Sequence, residues 1–455
     1  MPADPATVRE SRPEPDLIEP DPPLWERAAA MVVIIMLTGA LIGPVFAPSQ
    51  EETPALRLVW LPIYGLIAGL ITLRFDKAAR AWPAWIALLT LVALAYASKY
   101  WSIDPATTGR RVVAMAITGS FAVYLGSRFR GAALPRLLTH AALLMAIGSL
   151  IMVFAFPAIG VHHDVNAGLW RGLWYEKNQM GIVMVAGSIA AAATLASGDP
   201  RRLVPFLTLA LTTLLVLATQ SKTSLLCLML GVGVVGGLWT LKKGGAAFAV
   251  VMVWLGVVVA AFAAWAWSAH SVEILEALGK DPSLTGRTEI WASLMRRVAE
   301  RPWTGYGYNA FWGRESVPAA FVRQETGWTV PSAHNGWIDV LVQLGWPGAI
   351  LVGTLTALTV LITLLRVGGA GVREGYWALG YFAAFFLLSL SESILLSHQN
   401  LPWVLFLAML TRAVMPNPSP VRATLAPRPT GAYLTGSRIA AQYAHGPVRR
   451  PFPVR

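Results

Sequence analysis

Residues 281–312 read DPSLTGRTEIWASLMRRVAERPWTGYGYNAFW, and residues 330–348 read VPSAHNGWIDVLVQLGWPG. These polar, aromatic and glycine-rich segments interrupt a chain that is otherwise made of long apolar runs. Irregular backbone in lipid has no hydrogen-bond partners, so a polar interruption of this length belongs in water or inside protein. It divides the chain into membrane-crossing and extramembrane parts. With its Arg, Trp and Tyr residues and one His, it is also where chemistry is most concentrated.

Working outward, apolar runs recur near the roughly 17–25 residues that a bilayer crossing needs. They fall near residues 28–47, 58–73, 81–97, 112–125, 137–157, 180–196, 203–218, 224–241, 246–268, 346–365, 376–396 and 401–414. The expected fold is an all-α polytopic membrane protein of about twelve transmembrane helices, with one long outward-facing loop containing short helices, periplasmic by the resemblance given below. Its divisions are a disordered cytoplasmic head at 1–27, transmembrane helices 1–9 over 28–268 and a loop at 269–335. Transmembrane helices 10–12 follow over 336–414, then a disordered basic cytoplasmic tail at 415–455.

Composition supports this class. Of 455 residues, 55% are hydrophobic and 13% charged, too little charge to cover a water-soluble protein of this length. The single cysteine, Cys227, offers neither a disulfide framework nor a thiolate metal centre. The Pro-rich, acidic first 27 residues do not read as a cleavable signal. A net charge of +12 would suit nucleic acid, but the excess sits in short connectors and the tail, where Lys and Arg set orientation instead. Arg74, Lys77 and Arg80; Arg128, Arg130 and Arg136; Arg201 and Arg202; Lys242 and Lys243; and Arg366 and Arg373 share one side if twelve spans start from a cytoplasmic N-terminus. The loop then faces outward; Arg110 and Arg111 are the exception to this pattern.

Four outward places gather polar groups. GLWRGLWYEKNQMG (168–181) brings Arg171, Glu176, Lys177 and Asn178 to the start of the sixth span. TQSKTSLL (219–226) puts Lys222 in a tight turn, either as a functional cation or as a lysine snorkelling from a helix end. In LTGRTEIW (284–291), Ser283 or Thr285 caps a helix from about Arg287 to Glu300, with Ile290, Leu294 and Val298 on one stripe. Arg287 then lies at a helix start, where the dipole favours anions; a bound phosphate would relieve the conflict, and a solvated arginine is the plain alternative. In SAHNGWIDVL (332–341), His334 precedes the next span and supplies an imidazole suited to general-base work, or to a structural role. Glu392 is an acid within the eleventh span, a partner for Lys222 or Arg287. Trp303, Tyr306, Tyr308, Phe311 and Trp312 suit either sugar stacking or an interfacial aromatic belt. No HExxH, cysteine zinc spacing or nucleotide-binding glycine fingerprint occurs; His162 and His163 are adjacent but lack an obvious third ligand.

WYEKNQMG, TQSKTSLL, LTGRTEIW, RPWTGYGYNAFW and AHNGWIDVLVQLGWPG, in this order, resemble the family of bacterial O-antigen ligases and O-antigen or exopolysaccharide polymerases, with the polymerase branch the nearer. The resemblance runs from Trp170 to Gly348. It implies metal-independent, inverting glycosyl transfer, without cofactors, from an undecaprenyl diphosphate-linked oligosaccharide to a polysaccharide or lipid acceptor. The setting would be the periplasmic face of the bacterial inner membrane, with both termini cytoplasmic. By the same resemblance, Arg287 and Lys222 would grip the donor diphosphate and His334 would activate the acceptor hydroxyl. Arg171, Lys177, Asn178, Glu289, Tyr306, Asn335 and Glu392 would contact substrate. Membrane lipids, a chain-length regulator and a flippase would be partners, and nucleic acid would not. Lys222 departs from the arginine common in the ligases. A transporter or flippase of lipid-linked sugar is the alternative of another class; its ionisable groups would sit nearer the bilayer midplane.

Overall fold

The computed structural model describes residues 21–42, 44, 54–164, 166–245, 248, 251, 287–327, 329–367 and 372–415. Most of the ninth expected span, the first part of the loop with Ser283 and Thr285, most of the head and nearly all of the tail lie outside them. The described chain is all-helical. In order come α1 (Leu24–Leu37), α2 (Pro54–Leu73), α3 (Phe75–Ala79), α4 (Trp82–Ala97), α5 (Pro105–Arg128), α6 (Ala133–Ala155), α7 (Pro157–Gly160), α8 (Lys177–Ala196) and α9 (Leu203–Thr219). Then follow α10 (Lys222–Gly245), α11 (Arg287–Glu300), α12 (Val317–Thr326), α13 (Gly336–Val367), α14 (Val372–Ser391) and α15 (Leu401–Val414). Among the described residues five helices are long and apolar enough to cross a membrane: the stretch from Trp82, α6, α8, α10 and α13. Leu58–Leu73, α9, Gly375–Ser391 and α15 are apolar but shorter.

The middle of the bundle is built on close approach. Helices in lipid gain little from hydrophobic burial, so small residues that let backbones meet carry much of the packing. A Cβ on Gly181 of α8 would lie 2.3 Å from Ser224 Oγ of α10. The Cys227 thiol of α10 points to the Ala384 carbonyl of α14 at 3.7 Å. α15 is buried almost along its whole length, with Trp403 and Phe406 stacked at 5.1 Å, and Phe406 on Phe385 of α14 at 5.1 Å.

Two ends of the bundle differ in chemistry. At one, Glu26 of α1 is fully buried and accepts paired hydrogen bonds from Arg74 (2.9 and 3.1 Å) and Arg128 (2.9 and 3.1 Å), plus one from Tyr124 (2.9 Å). This clamp ties α1, the end of α2 and α5 together, and it starts α1 at Leu24, inside the stretch taken as the head. Burying so many polar groups is tolerated because the forked guanidinium geometry satisfies both carboxylate oxygens.

At the other end, α13 breaks. Its 32 residues exceed a bilayer crossing, and Gly345 leaves the helix at φ 64°, ψ −162°, just before Pro347. The break frees carbonyls that must find donors. The loop supplies them: Tyr306 N–H donates to Val342 O at 2.9 Å and Gly307 N–H to Gln343 O at 3.0 Å, while Trp346 N–H donates back to Pro302 O at 2.8 Å. RPWTGYGYNAFW is thereby a backbone plug for a broken helix, and only the part after Gly345 continues as an apolar rod. A second small core joins Ile290, Leu294, Val298, Tyr306, Phe311, Val322 and Val342 around α11 and α12.

Candidate active site

α11 presents Ile290, Leu294 and Val298 inward, the stripe expected from the sequence, and so fixes which way Arg287 faces. Its guanidinium donates to the Ser391 carbonyl at 2.8 Å and stands 3.7 Å from Glu392 Oε1. α14 ends at Ser391, which corrects the placement of Glu392: it follows the helix rather than lying within a span. A helix C-terminus carries partial negative charge, so a carboxylate there is disfavoured until a cation meets it. Arg287 is that cation. The conflict foreseen at the start of α11 is thus relieved from within the protein, by the C-terminus of α14 and its carboxylate.

His334 is placed by its neighbours. Trp291 of α11 donates its indole N–H to the Ala333 carbonyl at 2.9 Å, and Asn335 Oδ1 accepts from Trp337 N–H (3.0 Å) and Ile338 N–H (3.2 Å), starting α13. Between them His334 sits at φ 46°, a strained backbone region for a residue with a side chain. Its Nδ1 is buried, makes no hydrogen bond, and lies 3.7 Å from Glu392 Oε2. With Nδ1 turned to the carboxylate, Nε2 is the basic nitrogen. Arg287, His334 and Glu392 therefore meet at one place from three separate segments, each between 16% and 25% exposed.

Lys222 opens α10, just after Gln220 turns through the left-handed region at φ 51°. The contact of Cys227 with Ala384 sets the level. At about 1.5 Å per residue, Lys222 lies about 8 Å from it along α10 and Glu392 about 12 Å along α14, toward the same end because the helices run antiparallel, Gly231 meeting Gly380. Lys222 makes no hydrogen bond or ion pair with Arg287, Glu392 or His334.

Other expected substrate residues have work inside the fold. Arg171 donates to the Ile159 and Ala158 carbonyls (2.7 and 3.3 Å) at the end of α7. Tyr306 is 4% exposed, its hydroxyl donating to Glu300 at 2.5 Å. Asn335 is the cap just described. Lys177 and Asn178 begin α8 and are partly buried; the Lys177 backbone N–H donates to His162 Nε2 at 3.2 Å, with Asp164 on the other ring nitrogen at 3.3 Å. Glu289 is exposed on α11, away from the buried stripe. Of the aromatic residues held open between two readings, Tyr308 and Phe311 are fully buried, whereas Trp303 is 67% exposed.

Sequence reasoning missed two features. One is the facing of Glu392 and His334, which no local pattern announces. The other is Asp339, buried one turn into α13, which accepts from the Trp312 indole at 2.7 Å.

Apolar helices in this number define a membrane protein. A family described as O-Antigen ligase matches residues 207–353, a stretch that contains Lys222, Arg287, Glu289, Tyr306, His334 and Asn335. The chain is also 24% identical, over 321 residues, to "Exopolysaccharide production protein ExoQ" of Rhizobium meliloti (strain 1021), covering 64% of this chain and 68% of that protein. The resemblance drawn from the motifs is borne out: the chain is similar to the O-Antigen ligase family and to an exopolysaccharide production protein.

Proposed function

We propose that the chain is an inverting glycosyltransferase that polymerises lipid-linked oligosaccharide repeats of an exopolysaccharide or O-antigen at the periplasmic face of the inner membrane. The observation that carries this reading is the meeting of Arg287, His334 and Glu392. The donor is an undecaprenyl diphosphate-linked oligosaccharide. An acceptor hydroxyl attacks the anomeric carbon from the face opposite the diphosphate; the new C–O bond forms as the old one breaks, and configuration inverts. His334 Nε2 takes the hydroxyl proton, and Glu392 steadies the imidazolium. The diphosphate leaves with the bonding electron pair, its growing charge met by Arg287 and Lys222 without a metal. Fixed cations in a site shielded from water need no reorganisation as the bond breaks, so they favour the transition state over the ground state.

In this reading the chain crosses the membrane about twelve times, both termini are cytoplasmic, and the loop is periplasmic. A ligase moving finished polymer to lipid A-core is the second reading, favoured by the description of the matching family. Gene deletion separates them: loss of a polymerase leaves single repeats, and loss of a ligase leaves full-length polymer on its carrier. Transport of lipid-linked sugar is less favoured, because the gathered polar groups lie at helix ends and in connectors. Uptake into proteoliposomes without glycosidic product would reverse that order.

A further inference from the structure

Asp339 is a buried acid that the transfer chemistry leaves unused. It is 3% exposed, and its Oδ1 accepts from the Trp312 indole N–H at 2.7 Å. Two further groups face its carboxylate: the backbone N–H of Ala333, the residue before His334, and the hydroxyl of Ser393, the residue after Glu392. The indole and the backbone N–H only donate, and a hydroxyl donates to a carboxylate. An amide in place of Asp339 would turn an NH2 group toward one of these donors.

The start of α13 and the end of α14 are joined on both sides of this acid. Trp337 donates its indole N–H to Ser389 Oγ at 3.1 Å, and a Cβ on Gly336 would stand 2.8 Å from Leu395 Cγ. Asp339 N–H donates to the Asn335 carbonyl at 3.0 Å, which ties the acid to the turn that carries His334. Within this junction two buried polar atoms make no hydrogen bond, Ser393 Oγ and His334 Nδ1. The first faces Asp339, and the second faces Glu392 at 3.7 Å. Native proteins seldom leave a buried polar atom unpaired, so each that persists calls for a reason. Hydrogen bonds of a catalytic site are often long in the free enzyme and tighten when substrate binds. Ser393 adjoins Glu392, and Asp339 shares the start of α13 with His334, so one short movement of the turn after α14 toward α13 closes both gaps.

Resting on the glycosyl-transfer reading, we propose that Asp339 is a positioning residue for that reaction: it draws in the Ser393 hydroxyl, so that Glu392 is set against His334, while Ala333 N–H holds the histidine backbone to the same carboxylate. Asp339 touches neither sugar nor diphosphate. It acts through the orientation of the imidazole, and its effect falls on the rate of transfer rather than on the binding of substrate.

The test uses the full chain in detergent, with lipid-linked single repeats extracted from cells lacking it as donor and acceptor. Asp339→Asn should lower kcat by about tenfold or more while KM, and the calorimetric affinity for undecaprenyl diphosphate, stay within about twofold. Ser393→Ala should lower kcat by about threefold or more at the same KM. Its hydroxyl makes no hydrogen bond in the free protein, so this variant keeps the fold and stands in if Asp339→Asn does not. In a His334→Ala background neither change should lower the residual rate further, because residues that act as a unit do not contribute separately. Full activity in Ser393→Ala and in folded Asp339→Asn, losses that multiply with that of His334→Ala, or a rise in KM at unchanged kcat would each overturn the proposal while the native rate upholds the transfer reading. A native protein that forms no glycosidic bond from these lipids overturns the transfer reading itself, and the proposal with it.

Discussion

Glu392 Oε2 faces Nδ1 of His334 across 3.7 Å, and the same carboxylate faces Arg287 through its other oxygen. A small inward shift would close both gaps to hydrogen-bond length and fix the imidazole with its lone pair on Nε2. His334→Ala should lower transfer by about 10²–10⁴-fold, the usual contribution of a positioned base, with normal membrane levels. Glu392→Gln keeps the shape and loses the anion, so its loss should be smaller but clear. Purified protein with a lipid-linked donor supplies the rates, and a fully active Glu392→Gln would remove the carboxylate from the mechanism.

Arg287→Ala should abolish product at normal membrane levels. Lys222→Arg should keep activity if charge alone is needed at the start of α10, because both side chains are cationic and only the geometry of the donors changes. Complete loss in Lys222→Arg would show that the compact ammonium is required. Product formation in membranes, normalised to protein, reads both.

Gly345 admits no side chain: its φ is 64°, and a Cβ would lie 2.5 Å from the Pro302 carbonyl oxygen. Gly345→Ala should destabilise the protein by about 1–3 kcal/mol. Gly233 of α10 has nothing within 4 Å of such an atom, so Gly233→Ala should be neutral or stabilise by up to about 1 kcal/mol. Thermal unfolding in one detergent compares them, and equal effects would count against the break in α13 as a structural necessity.

Burial first, and Arg111 second, hold the His398 imidazole down to a pKa of about 3. The unfolded chain protonates it near 6.5, so the folded state binds fewer protons between those values. Its stabilising contribution is complete above about pH 6.5 and is lost as pH falls toward 3, by at most about 1.4 kcal/mol per pH unit. His398→Gln should therefore flatten the fall in melting temperature between pH 7.5 and 5. An unchanged slope would mean that the ring is wetted and titrates normally.

Periodicity made much of this legible. The stripe of Ile290, Leu294 and Val298 is visible because a helix repeats its faces over short distances, and the apolar run from Trp346 is visible because Gly345 and Pro347 punctuate its start. Pairings between distant segments leave no such mark. Glu392 gives no local sign of facing a histidine 58 positions earlier, and Arg287 gives none of leaning on the end of α14. Arg74 and Arg128 read as free orienting charges because their shared partner, Glu26, sits in a stretch whose acidity resembles a solvated head.

The Glu26 clamp also sets an order of events during synthesis. Glu26 precedes Arg128 by 102 residues, and ribosomes add about 5–20 residues per second, so the carboxylate emerges about 5–20 s before its last partner. Arg74, 48 residues on, reaches the first helix earlier, and the clamp is complete only when the fifth helix brings Arg128. The amino-terminal third is thus closed by an ionic bolt whose last part comes with the fifth helix.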